Sequence, residues 1–160
     1  MKKKFILSLL ILGCSVFLNT AIAQTKQKAE KKFIDQLNTI LKNSKQQHWN
    51  YEGMMTIDSA FAINVAGILS VTVRYTTDAS FVIVRMAAPI NKIQQVDYDL
   101  YLILKYKDEL VTYYESAPGS NKLIEKGKGE LFHIGAPLPE DVKYQEKLQK
   151  SLDKLLKYYQ

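Results

Sequence analysis

Residues 96–116 constrain the fold more than any other stretch of this chain. Tyr98, Leu100, Leu102, Leu104 and Tyr106 recur at every second position, the spacing that places all five on one face of a β-strand. Lys107, Asp108 and Glu109 interrupt the run with polar side chains. Leu110 to Glu115 then reads as a return strand rich in β-branched and aromatic residues. A hairpin is the expected product. The opposite face of the first strand carries Asp97 and Asp99, then Tyr101 and Ile103. A face left open to water has no need of the last two, so this strand calls for cover on both sides.

The N-terminus has the parts of a secretory signal peptide. Met1-Lys2-Lys3-Lys4 precedes an apolar run from Phe5 to Leu18, and Ala21-Ile22-Ala23 supplies a small-x-small site. The run is shorter than the about 20 apolar residues of a membrane-spanning helix. Cleavage is expected after Ala23, so residues 1–23 are read as the signal and 24–160 as a single domain, periplasmic or extracellular. Ile11-Leu12-Gly13-Cys14 offers a rival reading, a bacterial lipoprotein signal with Cys14 lipidated. Bulky Leu12 and the apolar residues continuing to Leu18 favour Cys14 as one more small hydrophobe of the signal.

Removing 23 residues from 160 leaves 137, the size of one ordinary domain. Cys14 is the only cysteine, so the mature chain would have no disulfide, thiol nucleophile or cysteine metal ligand. A hydrophobic core must then hold it together. Loss of Lys2, Lys3 and Lys4 lowers the formal charge from +6 to +3. So mild a balance argues against a nucleic-acid partner, which a concentrated basic face would signal.

Period and punctuation divide the rest. Phe33, Leu37, Ile40 and Leu41 form one helical stripe within residues 24–47, and lysines, including Lys28, Lys31, Lys32 and Lys42, crowd the other faces. Such a basic helix can lie on an anionic membrane, although a domain helix with a solvated back accounts for the pattern as well. From His48 the period becomes two. Trp49, Tyr51, Met55 and Ile57 alternate with polar residues, as do Ile63, Val65, Leu69, Val71, Val73 and Tyr75. Thr77-Asp78-Ala79-Ser80 is a turn, Phe81 to Val84 a more fully buried strand, and Pro89 its end. Ala117-Pro118-Gly119-Ser120-Asn121 marks another turn, with two weaker strands beyond it on either side of Gly127-Lys128-Gly129. A closing helix over 139–159 carries the stripe Leu148, Leu152, Leu155, Leu156 and Tyr159, with Glu140 and Asp141 at its positive end. The expected fold class is α+β: a helix at 24–47, a meander of six to eight antiparallel strands over 48–135, and a capping helix at 139–159.

The order of the second half adds a resemblance. Ala87-Ala88-Pro89-Ile90-Asn91-Lys92-Ile93 leads into Leu100-Tyr101-Leu102-Ile103-Leu104-Lys105-Tyr106-Lys107-Asp108, then another strand and a long C-terminal helix. Over residues 48–159 this pattern resembles pleckstrin-homology-like domains. The resemblance implies a barrel of about seven strands plugged by one helix, a peptide or lipid-headgroup site, and no family-wide catalytic set. The first hairpin has no matching basic headgroup motif, and the N-terminal helix and secretory address depart from the family's usual pattern. Cystatin-like and lipocalin-like curved sheets are the structural alternatives.

Chemistry is sparse. The two histidines, His48 and His133, form no close pair and no His-Glu-x-x-His, and each reads as a surface or turn residue. Ser59 and Ser70 lack a Gly-x-Ser-x-Gly elbow, and Gly127-Lys128-Gly129 is a tight turn rather than a phosphate cradle. Asp97 and Asp99, with Glu52 and Asp58 as neighbours, read as solvated strand charges. No catalytic, metal-binding or cofactor-binding residue is therefore assigned. Tyrosine is the enriched type, ten in all, and it suits recognition surfaces because it joins apolar area to a polar tip. The expected function is a non-enzymatic, exported binding or interaction module whose partner is a protein, a peptide or a small ligand. Its contact surface is placed on an outer sheet face at Tyr101, Ile103 and Tyr113. The alternatives are a small hydrolase using Asp97, Asp99 and His48, and a membrane-surface protein attached through the basic helix.

Overall fold

A computed structural model describes residues 24–44, 51–135 and 142–159. Residues 1–23 with Cys14, and likewise His48, Trp49, Pro137 and Pro139, lie outside the described residues. Helix α1 (24–43) precedes eight strands. They are β1 (Met54–Ile63), β2 (Ile68–Thr76), β3 (Phe81–Pro89), β4 (Ile93–Asp99), β5 (Tyr101–Tyr106), β6 (Val111–Ser116), β7 (Leu123–Gly129) and β8 (Leu131–His133), and helix α2 (Val142–Leu156) follows. The α+β plan expected from hydrophobic period is the one observed.

The strands form two antiparallel sheets, one ordered β1-β2-β3-β6-β7 and the other β4-β5-β8. This departs from an unbroken meander. The β4–β5 hairpin leaves the first sheet after β3, and β6 returns to pair with β3. The expected long strand from Tyr98 to Tyr106 is therefore two strands. Asp99 pairs with Tyr101 and Tyr98 with Leu102, so the chain reverses at Leu100. Leu100 adopts φ of 60°, a left-handed conformation that costs an L residue about 1–2 kcal/mol. Nothing in the sequence signals it, because the turn carries neither glycine nor asparagine. The expected partner of β5 was β6; its partners are β4 and β8. Gly127 and Gly129 belong to β7, and the bend falls at Glu130.

The core joins both helices to both sheets. Phe33, Leu37, Ile40 and Leu41 of α1 and Leu148, Leu152 and Leu155 of α2 are buried with Leu69, Val71, Val73 and Tyr75 of β2. From β5 and β8 the same cluster takes Leu102, Leu104, Tyr106 and Phe132. Each predicted helical stripe thus becomes a buried face.

Three carboxamides then seat the helices on the sheets. The β1 register shifts between Ser59 and Ala62, and Phe61 lies in that irregularity. Asn38 of α1 takes both of its backbone groups: Phe61 N–H donates to Asn38 Oδ1 at 2.8 Å, and Asn38 Nδ2 donates to the Phe61 carbonyl at 3.1 Å. Val96 on edge strand β4 is served likewise by α2. Its N–H donates to Gln149 Oε1 at 2.7 Å, and its carbonyl accepts from Gln145 Nε2 at 3.2 Å. Asn38→Leu removes the first pair of bonds and leaves two backbone groups unpaired, at about 1–3 kcal/mol for each buried group. Urea denaturation should show a loss of about 2–6 kcal/mol for the two groups together, with a much smaller one for the exposed neighbour Thr39→Ala.

Candidate functional site

The two sheets enclose a cavity of about 480 Å³, within the range typical of small-molecule sites. The alternation of β2 and β3 builds one wall, with Val71, Val73 and Tyr75 from the first and Val84 and Met86 from the second. Tyr113 of β6 continues this wall, since it pairs with Met86. The β4–β5 hairpin supplies the facing wall through Asp99, Leu100, Tyr101 and Ile103, with His133 of β8 opposite Ile103. Asp99, Leu100 and Leu131 are exposed and mark the mouth, whereas Val71, Val73 and Ile103 are buried and mark the floor.

Tyr101, Ile103 and Tyr113 do come together, but not on an outer face. All three line the cavity, and Ile103 is only 3% exposed. The reason is topological: β5 is buried on both faces, with Leu102, Leu104 and Tyr106 in the core and Ile103 turned to the cavity. The adjacent Tyr113 and Tyr114 point to opposite faces of β6, as strand geometry demands. Tyr113 lies close over Gly129, where an added Cβ would stand 3.0 Å from its ring. Its hydroxyl donates to the Leu131 carbonyl, tying the first sheet to the second strand system.

Aromatic and acidic groups run along the cavity. Tyr51 donates from its hydroxyl to Glu115 Oε2 at 3.0 Å, and its ring stacks on Tyr75 with centroids 4.6 Å apart and planes 13° from parallel. Burial pushes the Tyr75 phenol well above its ordinary range, and the Tyr51 and Tyr101 phenols add to the shift. Tyr101 contacts His133, ring centroid to ring centroid 4.9 Å. Burial lowers the His133 pKa, and the Asp99 carboxylate offsets part of that. His133 is therefore a half-buried cavity residue rather than the surface residue expected. At the cavity edge Gly135 has φ of 73°, and a Cβ there would stand 2.4 Å from Ser44 Oγ at the end of α1. Only glycine fits this approach.

The proposed acid pair divides. Asp99 lines the cavity, whereas Asp97 Oδ1 accepts the Tyr98 N–H at 2.9 Å and its Oδ2 accepts from Gln95 at 3.3 Å. Their partner in the hydrolase reading, His48, lies outside the described residues. Sequence reasoning passed over Tyr51, Tyr75 and Met86 as site residues. The signal for them was the inward phase of β2 and β3, which says core but not cavity.

A second groove, of about 400 Å³, runs between the helices and is lined by Lys28, Lys31 and Lys32 of α1 with Tyr144 and Lys147 of α2. Among the described residues no group of three or more His, Cys, Asp or Glu is arranged to hold a metal ion, and no helix is long and apolar enough to cross a membrane. The chain matches no protein-family model, no curated protein and no solved structure.

His133 couples the site to pH. A depressed folded-state pKa means that the unfolded chain binds the proton more readily, so stability is full above the ordinary 6.5 and falls as the pH drops from there toward the folded value. Urea denaturation at a series of pH values should show this slope, and His133→Gln should flatten it.

Proposed function

We propose that this chain is an exported binding module whose inter-sheet cavity takes a small ligand with a largely apolar body. The observation that carries the reading is the convergence of Tyr101, Ile103 and Tyr113 with Val73, Tyr75 and Met86 on one cavity open at Asp99 and Leu100. Burying an apolar ligand against such walls contributes about 25 cal/mol per Å². The tyrosine hydroxyls and His133 offer orienting contacts. Export rests on the sequence of residues 1–23, and an apolar cavity suits a protein that sequesters a poorly soluble molecule outside the cytoplasm.

The test is direct. The neutral fluorescent probe N-phenyl-1-naphthylamine should brighten on binding, and Met86→Trp, which fills the cavity, should weaken that binding at least tenfold while the melting temperature stays within a few degrees. Equal brightening by the native chain and this variant would move the site elsewhere.

A second reading is attachment to an anionic membrane surface, supported by the lysines gathered from both helices along their groove. The apolar stripe of α1 is buried in the core, so such attachment is electrostatic rather than insertive. Vesicles rich in phosphatidylglycerol should float the native chain at low salt, and 0.5 M salt or charge reversal at Lys28, Lys32 and Lys147 should release it. Sedimentation of the native chain with neutral and anionic vesicles alike would end this reading.

A further inference from the structure

We infer that the cavity selects an organic cation, a ligand whose apolar body ends in an ammonium group, over neutral and anionic ligands of the same shape. This rests on the reading of the cavity as a ligand site. Its basis is the segregation of charge. The chain has 22 basic residues against 16 acidic ones, yet among the described residues that line the cavity none is lysine or arginine. The bases lie elsewhere: lysines line the groove between the helices, and Arg74 is engaged by Asp58 at 2.8 Å. The cavity itself presents a carboxylate, Asp99, at its mouth, and a second, Glu115, stands behind Tyr51 and accepts its hydroxyl.

The rings of Tyr51, Tyr75, Tyr101 and Tyr113 line the same cavity as Asp99. Aromatic faces attract a cation through the ring quadrupole, by about 0.5–2 kcal/mol according to how far it is desolvated. They offer an anion no such gain. His133 strengthens the bias, because burial favours its neutral form and removes the one group among the described lining residues able to become positive near neutral pH. A carboxylate ligand would enter past Asp99 with no counter-ion among the described lining residues, a desolvation cost without compensation. An ammonium meets Asp99, the Tyr101 ring and a set of phenol oxygens, while Val71, Val73, Met86 and Ile103 cover the apolar remainder.

The test uses three ligands of equal chain length, below their micelle concentrations: decyltrimethylammonium, decanol and decanoate. Each competes with N-phenyl-1-naphthylamine bound to the native chain. The ammonium should displace the probe at a concentration about tenfold lower than decanol and lower still than decanoate. Asp99→Asn, nearly isosteric and at the exposed mouth, should shrink the gap between ammonium and carboxylate by about tenfold, each ligand being read against the probe affinity of that same variant. Equal or better displacement by decanoate, with the probe still bound in the native cavity, would overturn the charge preference and leave the binding site standing. Failure of the probe to bind the native chain would overturn both.

Discussion

Side-chain amides that stand in for missing strand partners hold this fold in register. A bulge in β1 and the open edge of β4 each leave backbone groups without a ladder partner, and a buried unpaired group is costly. Asn38 supplies a donor and an acceptor to Phe61, and Gln149 with Gln145 does the same for Val96. Gln149 is itself oriented, since its Nε2 donates to Asp153 at 2.7 Å. Apolar stripes alone would let the helices slide, because hydrophobic contact is non-directional. The amides fix where α1 and α2 sit, and α1 in turn places Leu41 against the cavity.

The cavity follows from a mismatch between the two sheets. The hairpin β4–β5 is inserted between β3 and β6, so it lies across the first sheet rather than extending it. Ile103, Tyr101 and His133 then face Val73, Met86 and Tyr113 across a gap that the described side chains only partly fill. Tyr113 spans part of it and anchors on the Leu131 carbonyl, made possible by the bare backbone at Gly129. Tyrosine serves both needs here. Its ring packs against valine and methionine, and its hydroxyl reaches a carbonyl or a carboxylate without bringing a charge inside.

Different parts of this arrangement were legible to different degrees. The strand β3, the stretch of β2 from Leu69 to Tyr75 and the stripes of both helices stand where period two and period 3.6 put them, whereas the alternation expected from Ile63 onward is broken by the β1–β2 turn, which leaves Val65 fully exposed. The stretch from Tyr98 to Tyr106 misled for a physical reason. Alternation persists straight through a one-residue reversal when Leu100 takes a left-handed conformation at 48% exposure, and leucine carries no turn signal. Once β5 was read as continuous with β4, its second apolar face looked like an outer surface. Tyr101, Ile103 and Tyr113 were thus recognised as surplus to a one-sided sheet but placed on the wrong side of it. His133 was missed because a lone histidine beside a short strand carries no local mark of burial.

The sequence by itself determined the α+β class, the phase of the long strands, the buried stripe of each helix and the tyrosine-rich character of the central region. These are local properties, set by side-chain period and turn chemistry within a few residues. Only the tertiary structure decided that β6 pairs with β3, that β5 is covered on both faces, and that an acid, a histidine and four tyrosines from distant segments share one cavity. Such pairings are set by long-range register and by where bulges and amide contacts let the sheets cross, and no local pattern encodes them.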